Sequence, residues 1–348
     1  MTIAFELPSV LHAPEPPEVR GLRRDGVRLL TTDRRSGESG HSRFYELDRH
    51  LRPGDVIVVN ASRTMPAVLQ AQRLRGGNVV EERVEVRLSH LLGAGSWEAL
   101  VLAAETEVGD TLQFAPSLSA LVASRTDGAP TFTLQFSCSG SSLYERIYAL
   151  GEPVRYEYAR QPWALDYYQT VFAAAPGSVE MPSAGRAFSW QLIRKLRKRG
   201  IGFAFIELHA GLSYWPYAAG SPDGEQPHPR RNAEPYAIPA ATAEAVNGAK
   251  AAGGRIIAVG TTVVRTLETA ATADGFIREG SGRTNLYIDR NYPLRVVDGL
   301  LTGFHEPEAS HLELLSAFAA PADLERAYRE AIAFRYLWHE FGDMHLLL

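Results

Sequence analysis

Apolar positions fall into two textures along this chain, and the change of texture divides it. Val56-Ile57-Val58-Val59 and Ile256-Ile257-Ala258-Val259 are continuous runs rich in β-branched residues, and Ile201 to Leu208 and Val296 to Leu301 are mainly apolar stretches expected as strands. Such runs suit strands buried on both faces. Between and after them apolar residues recur at helical spacing: Ser189 to Arg199 stopped by Gly200, Pro239 to Ala252 stopped by Gly253-Gly254, then Ser310 to Ala319 and Asp323 to Tyr336. Further strands are expected at Val27 to Thr31 and Asn285 to Ile288. Alternating strand and helix predicts an α/β domain. From Ala67 to Ser137 the pattern becomes short alternating segments separated by Gly76-Gly77, Gly93, Gly95, Gly109-Asp110 and Asp127-Gly128. About six strands without a helix predict a small antiparallel β-barrel. The fold class is therefore α/β, a main α/β domain (residues 1–66 and 150–348) with an inserted β-barrel domain (67–149). A helix with a serine cap, Ser142 to Leu150 stopped by Gly151, follows the barrel strands.

One junction concentrates candidate chemistry. The buried run to Val259 stops at Gly260, Thr261 and Thr262 follow, and Val263, Val264, Leu267 and Ala271 continue at helical spacing. A strand, tight turn and helix leave unpaired N–H groups at the helix start, where a threonine or a bound anion can satisfy them. Arg265 lies one turn in, on the face of Thr261 and Thr262. An ordinary threonine-capped helix with an Arg265 to Glu268 surface pair has the same pattern. Asn60, Ser62 and Arg63 follow another buried strand, a position that suits ligand contact and suits a hydrogen-bonded turn equally.

His209 and His305 each come directly after a predicted buried strand and before a loop with glycine or proline. A general acid or base belongs there, and histidine titrates near neutrality. His339 and His345 flank Asp343 without a metal-ligand spacing, and no metal is expected. Glycine-rich phosphate loops, nucleophile elbows and dinucleotide fingerprints are absent.

Composition narrows the setting. Of 348 residues 45% are hydrophobic and 22% charged, as in soluble globular proteins, and no apolar run approaches a membrane span. The amino-terminal stretch lacks a basic region and is interrupted by Glu6, so no secretory signal and a cytoplasmic location are expected. Cys138 is the only cysteine, which excludes an internal disulfide. A net charge of −4 gives the whole chain no general attraction for nucleic acid, although Arg194-Lys195-Leu196-Arg197-Lys198-Arg199 is a local basic patch.

Taken in order, these segments resemble the S-adenosylmethionine:tRNA ribosyltransferase-isomerases of queuosine biosynthesis. The matching stretches are Gly54-Asp55 through Asn60-Ala61-Ser62-Arg63-Thr64-Met65-Pro66-Ala67, Tyr168-Gln169-Thr170-Val171-Phe172, Pro176-Gly177-Ser178-Val179, Pro182-Ser183-Ala184-Gly185 and Leu208-His209-Ala210-Gly211. They continue with Ile256 to Glu268, Val297 to Pro307 and Leu315 to Ala319. The resemblance implies S-adenosylmethionine as co-substrate, donating its ribosyl group to a 7-aminomethyl-7-deazaguanine in tRNA with release of adenine and methionine. It implies proton transfer by His305 or His209, and a grip on the donor by Gly260, Thr261, Thr262 and Arg265. Tyr214 or Trp215 would face the sulfonium, and Asn60, Arg63, Ser183 and Gly185 would contact substrate.

Several segments depart from the family pattern. Ala184-Gly185-Arg186-Ala187-Phe188 lacks the family's histidine, and Pro229-Arg230-Arg231-Asn232-Ala233-Glu234 lacks two more before its glutamate. Gly303 replaces an asparagine, Arg155-Tyr156-Glu157-Tyr158 replaces a Pro-Pro-Tyr passage, and the carboxyl-terminal motif reads Phe341-Gly342-Asp343-Met344-His345. Two alternatives therefore stand beside the tRNA enzyme: a paralogue acting on a small-molecule acceptor, and a catalytically silent RNA-binding relative.

Overall fold

The computed structural model describes residues 3–156, 158–159, 161–213, 233–307 and 309–348. Its strands in chain order are β1 (Arg28–Thr32), β2 (Ser39–Arg43), β3 (Val56–Asn60), β4 (Ser62–Thr64), β5 (Val68–Arg75), β6 (Asn78–Gly93), β7 (Ser96–Val101), β8 (Thr111–Ala115), β9 (Leu118–Arg125) and β10 (Thr131–Phe136). They continue as β11 (Ala175–Ser178), β12 (Gly202–Leu208), β13 (Glu234–Ile238), β14 (Ile256–Val259), β15 (Gly280–Thr284), β16 (Gly299–Gly303) and β17 (Met344–Leu347). The helices are α1 (Gly140–Leu150), α2 (Trp190–Lys198), α3 (Ala240–Ala251), α4 (Thr261–Thr269), α5 (Ser310–Leu315) and α6 (Pro321–Ala333).

Among the described residues nine strands make one sheet in the order β15-β13-β12-β3-β14-β16-β17-β1-β2. Its centre, β12-β3-β14-β16, is parallel throughout, so four strands end at the same edge. The continuous apolar runs follow from burial on both faces. Val56, Val58, Ile206, Ala258 and Leu300 pack in the cluster that contains α3, α4 and α6 side chains, while Ile57, Val59, Ile257, Val259 and Leu301 pack with Leu192, Ile193 and Leu196 of α2. Period-two alternation thus serves two cores at once.

The main fold is α/β with an inserted barrel, as expected. The barrel is closed by six antiparallel strands in the order β10-β7-β6-β5-β8-β9 around Trp97, Leu88, Leu112, Val122 and Leu134. It meets the main sheet through close backbone packing. A Cβ at Gly211 would lie 2.3 Å from the His90 ring of β6, and the Leu212 N–H donates to Ser89 Oγ at 3.3 Å.

Some expected elements differ. No strand forms over Asn285 to Ile288; the sheet edge is instead β15, a Gly-Ser-Gly-Arg-Thr stretch without an apolar pattern. The strand expected over Val296 to Leu301 begins at Gly299, because the Glu268 carboxylate accepts the N–H groups of Arg295, Val296 and Val297 and holds them off the ladder. The barrel-side helix starts at Gly140, and its Ser139 makes no side-chain cap. Strands β2 and β17 carry no sequence signal strong enough to find them.

Candidate active site at the carboxyl ends of the parallel strands

In open parallel sheets ligands bind beyond the carboxyl ends of the strands. Here that edge carries His209 after β12, Asn60 to Arg63 at the end of β3, Gly260 to Thr262 after β14 and His305 after β16. Strands β3 and β14 intervene between the two histidine-bearing strands. The strand ends beneath His209 and His305 are therefore three spacings, about 14 Å, apart. They flank the edge and do not meet at one point.

On the β3 and β12 side the polar groups form a closed network. The buried Asn60 amide donates to Leu208 O at 2.8 Å, and its oxygen accepts from the N–H groups of Ser62 at 3.0 Å and Leu208 at 3.1 Å. Asn60 thus ties two strand ends together. Ser62 Oγ donates to Ser178 Oγ at 2.8 Å and lies 2.7 Å from His209 Nδ1. Since the Ser62 proton points to Ser178, a lone pair faces Nδ1, which must carry its hydrogen. The Nε2 nitrogen of His209 is then the basic one. Burial lowers the His209 pKa below the ordinary histidine value, which keeps the ring neutral at neutral pH. A Cβ at Gly177 would lie 2.6 Å from that ring, so only glycine leaves room for it. Arg63 is exposed in β4, with its guanidinium 5.9 Å from the Tyr148 ring of α1.

The β14 side is built differently. Gly260 has φ +91°, a conformation that L residues rarely adopt, and precedes α4, whose amino terminus has no side-chain cap. A Cβ there would lie 3.4 Å from Ala184 Cβ, because the tight turn Ser183–Gly185 packs against it. Thr261 and Thr262 are half-buried. Arg265 pairs with the buried Glu234 carboxylate, while Glu268 serves the residues leading to β16, so the Arg265 to Glu268 surface pair does not form. Burial brings Arg265 down to about 10, and it stays charged at neutral pH.

At the β16 end His305 Nε2 lies 2.9 Å from Thr302 Oγ1, and its ring stacks on His311 at 4.7 Å. Burial, followed by the neighbouring His311, His345 and His339, pushes its pKa well below the ordinary value. Beside it two segments distant in the chain come together. Tyr158 stacks on His339 at 3.7 Å and donates its hydroxyl to Glu340. Burial pushes the Glu340 carboxyl up to about 7, and the nearby Glu180 acts in the same direction. Neither Tyr158 nor Glu340 stands in a pattern that announces this pairing.

Other expectations resolve simply. His345 is buried with Nε2 2.9 Å from Thr32 Oγ1, and Asp343 accepts the N–H groups of Arg28 and Leu337, so His339, His345 and Asp343 form no cluster. Arg186 is buried and bonded to Tyr167 O and Glu18, each at 2.8 Å, and Ala187 sits in the core. Within the basic patch Lys195 and Arg199 both engage Asp48, at 2.6 and 2.8 Å. Tyr214, Trp215, Arg230, Arg231 and Asn232 lie outside the described residues.

Known proteins place this architecture. Residues 2–347 match the family described as queuosine biosynthesis protein. The S-adenosylmethionine:tRNA ribosyltransferase-isomerase of Moorella thermoacetica is 39% identical over 347 residues, covering 99% of this chain and 98% of that protein. That of Geobacter metallireducens is 38% identical over 345 residues, covering 97% and 96%. A crystal structure of S-adenosylmethionine tRNA ribosyltransferase from Thermotoga maritima is similar with a TM-score of 0.56 and 32% identity, over 99% of both chains. The match runs unbroken from the first strand through the barrel to the last, and the chain belongs to the queuosine biosynthesis family of S-adenosylmethionine:tRNA ribosyltransferase-isomerases.

Proposed function

We propose that this chain transfers the ribosyl group of S-adenosylmethionine to a 7-aminomethyl-7-deazaguanine in tRNA, releasing adenine and methionine. The observation that carries the reading is the Ser178–Ser62–His209 relay at the strand edge, within a chain that matches the family from end to end. The donor's sulfonium acidifies the adjacent 5′ carbon, so the reaction needs a neutral base there. His209 Nε2 suits that role, since Ser62 fixes its tautomer and burial keeps it unprotonated. The start of α4, with Gly260, Thr261 and Thr262, suits the donor's carboxylate through its N–H groups and dipole. Arg265 and Glu234 offer one charge of each sign, complementary to the ammonium and carboxylate of the donor's methionine end. His305, at the other end of the row and likewise held neutral by burial, is the alternative proton acceptor. Ser183 and Gly185, packed on the Gly260 turn, and Arg63, exposed beside the barrel helix, are assigned to substrate contact, whereas Asn60 acts by fixing the strand ends.

The test is incubation of the purified chain with S-adenosylmethionine, with and without tRNA carrying the aminomethyl base, while adenine and methionine are measured. Release that requires this tRNA is expected. Turnover requiring a small-molecule acceptor instead would replace the acceptor, and tight tRNA binding without release would remove the activity.

A further inference from the structure

Close to His305, outside the donor machinery, three groups of metal-ligating type converge. His12 Nδ1 lies 2.8 Å from His339 Nε2, His339 Nε2 lies 3.5 Å from a Glu306 carboxylate oxygen, and all three atoms lie within 4.8 Å of one another. We propose that His12, His339 and Glu306 bind a divalent transition-metal ion of the zinc class through these three atoms.

The backbone holds the ligands in place before any ion arrives. His12 and Trp338 form a parallel bridge, with the Ala13 N–H donating to Trp338 O at 3.2 Å and the Trp338 N–H to Leu11 O at 2.9 Å. These bonds lock the two histidine-bearing segments side by side. His339 itself has φ +74°, an unfavourable conformation for a non-glycine residue and one in which histidine is among the more frequent. Its turn is fixed by the Gly342 N–H donating to His339 O at 3.0 Å and by Asp343 accepting the Leu337 N–H at 2.8 Å. A side chain at Gly342 would meet Leu337 O at 2.3 Å. Tyr158 covers the flat face of the His339 ring. Backbone strain retained in a well-bonded turn is characteristic of functional positions.

The chemistry of the donors selects the ion. Calcium and magnesium take oxygen ligands, whereas two imidazole nitrogens and one carboxylate suit zinc and its neighbours. Ligand atoms about 2.0–2.1 Å from a tetrahedral zinc are about 3.3 Å from each other, so small side-chain rotations from the present spacing suffice. The His339 side chain is 9% exposed and that of Glu306 53%, so the site opens to solvent on its carboxylate side. Three protein ligands leave at least one position open there for water or another oxygen donor. The ligands are far apart in the chain, which is why no spacing motif announces them and no metal was expected from the sequence.

The full chain, stripped with chelator, is titrated with zinc chloride by calorimetry. One tightly held equivalent is expected, with His12→Ala and His339→Asn each weakening uptake by roughly 100-fold or more, beyond the ordinary cost of an outer-shell change. Asparagine tolerates positive φ and preserves the turn. A second readout needs no variant: in the wild-type chain labelled with 15N-histidine, zinc should move the ring nitrogens of His12 and His339. Failure of the wild-type chain to take up one equivalent, wild-type affinity in both variants, or shifts confined to other histidines would each overturn the site.

Discussion

The two halves of the strand edge solve different problems. Around β3 and β12 the side chains of Asn60, Ser62, Ser178 and His209 bond to one another or to backbone, and one consequence is a defined tautomer. Around β14 the key features are a left-handed glycine, a helix start with no side-chain cap and an ion pair buried one turn in. On the proposed reading the first half orients a base and the second offers backbone N–H groups to a charged ligand. Catalytic groups need pre-organisation by neighbours, whereas an anion site needs its donors left for the ligand.

That contrast breaks first at His209. His209→Ala should lower turnover by about 10²–10⁴-fold, the usual contribution of a general base, and leave S-adenosylmethionine affinity nearly intact by calorimetry. Equal loss of affinity would move His209 into the binding half. Arg265→Ala should do the reverse. It should abolish donor binding and, by leaving the Glu234 carboxylate buried and unpaired, cost about 3–5 kcal/mol of stability in denaturant unfolding. A companion Arg265→Met, Glu234→Gln variant should recover much of the stability and none of the binding. Gly260→Ala, forced into its φ of +91° and against Ala184, should cost about 1–3 kcal/mol and weaken the donor, with little effect on the His209 relay.

The effect that is smallest near neutral pH is in the pH dependence of stability. Burial lowers His345 to about 3, below its unfolded value near 6.5. The unfolded chain therefore binds the extra proton as pH falls below about 6.5, and stability declines by about 1.4 kcal/mol per pH unit for that group until about pH 3. His345→Phe should make the acid limb of a stability profile shallower by that slope. An unchanged slope would mean that His345 does not stay neutral in the folded chain.

Much of this edge is legible in the sequence. Gly260 marks the turn because only glycine fits its backbone, and His209 and His305 stand out because polar residues end apolar runs. Architecture followed from the same contrast between continuous and alternating texture. What stayed hidden depends on contacts between distant segments. Nothing near Arg265 indicates that Glu234 and not Glu268 is its partner, since helical spacing favours the local pair. Strand β15, with its glycines and polar residues, owes its place to pairing with β13 and not to its own propensity. The convergence of His12 with His339 arises where the first loop meets the last turn, and Tyr158 reaches Glu340 there from the segment after α1.

The most direct measurement of the central claim follows the donor's atoms. S-adenosylmethionine labelled separately in its ribosyl carbons and in its methyl group is incubated with the chain and tRNA bearing 7-aminomethyl-7-deazaguanine, and the tRNA nucleosides are analysed by mass spectrometry. The ribosyl label should appear on the modified base and the methyl label should not. Transfer of the methyl label, or of neither, would contradict the assignment of this strand edge to ribosyl transfer.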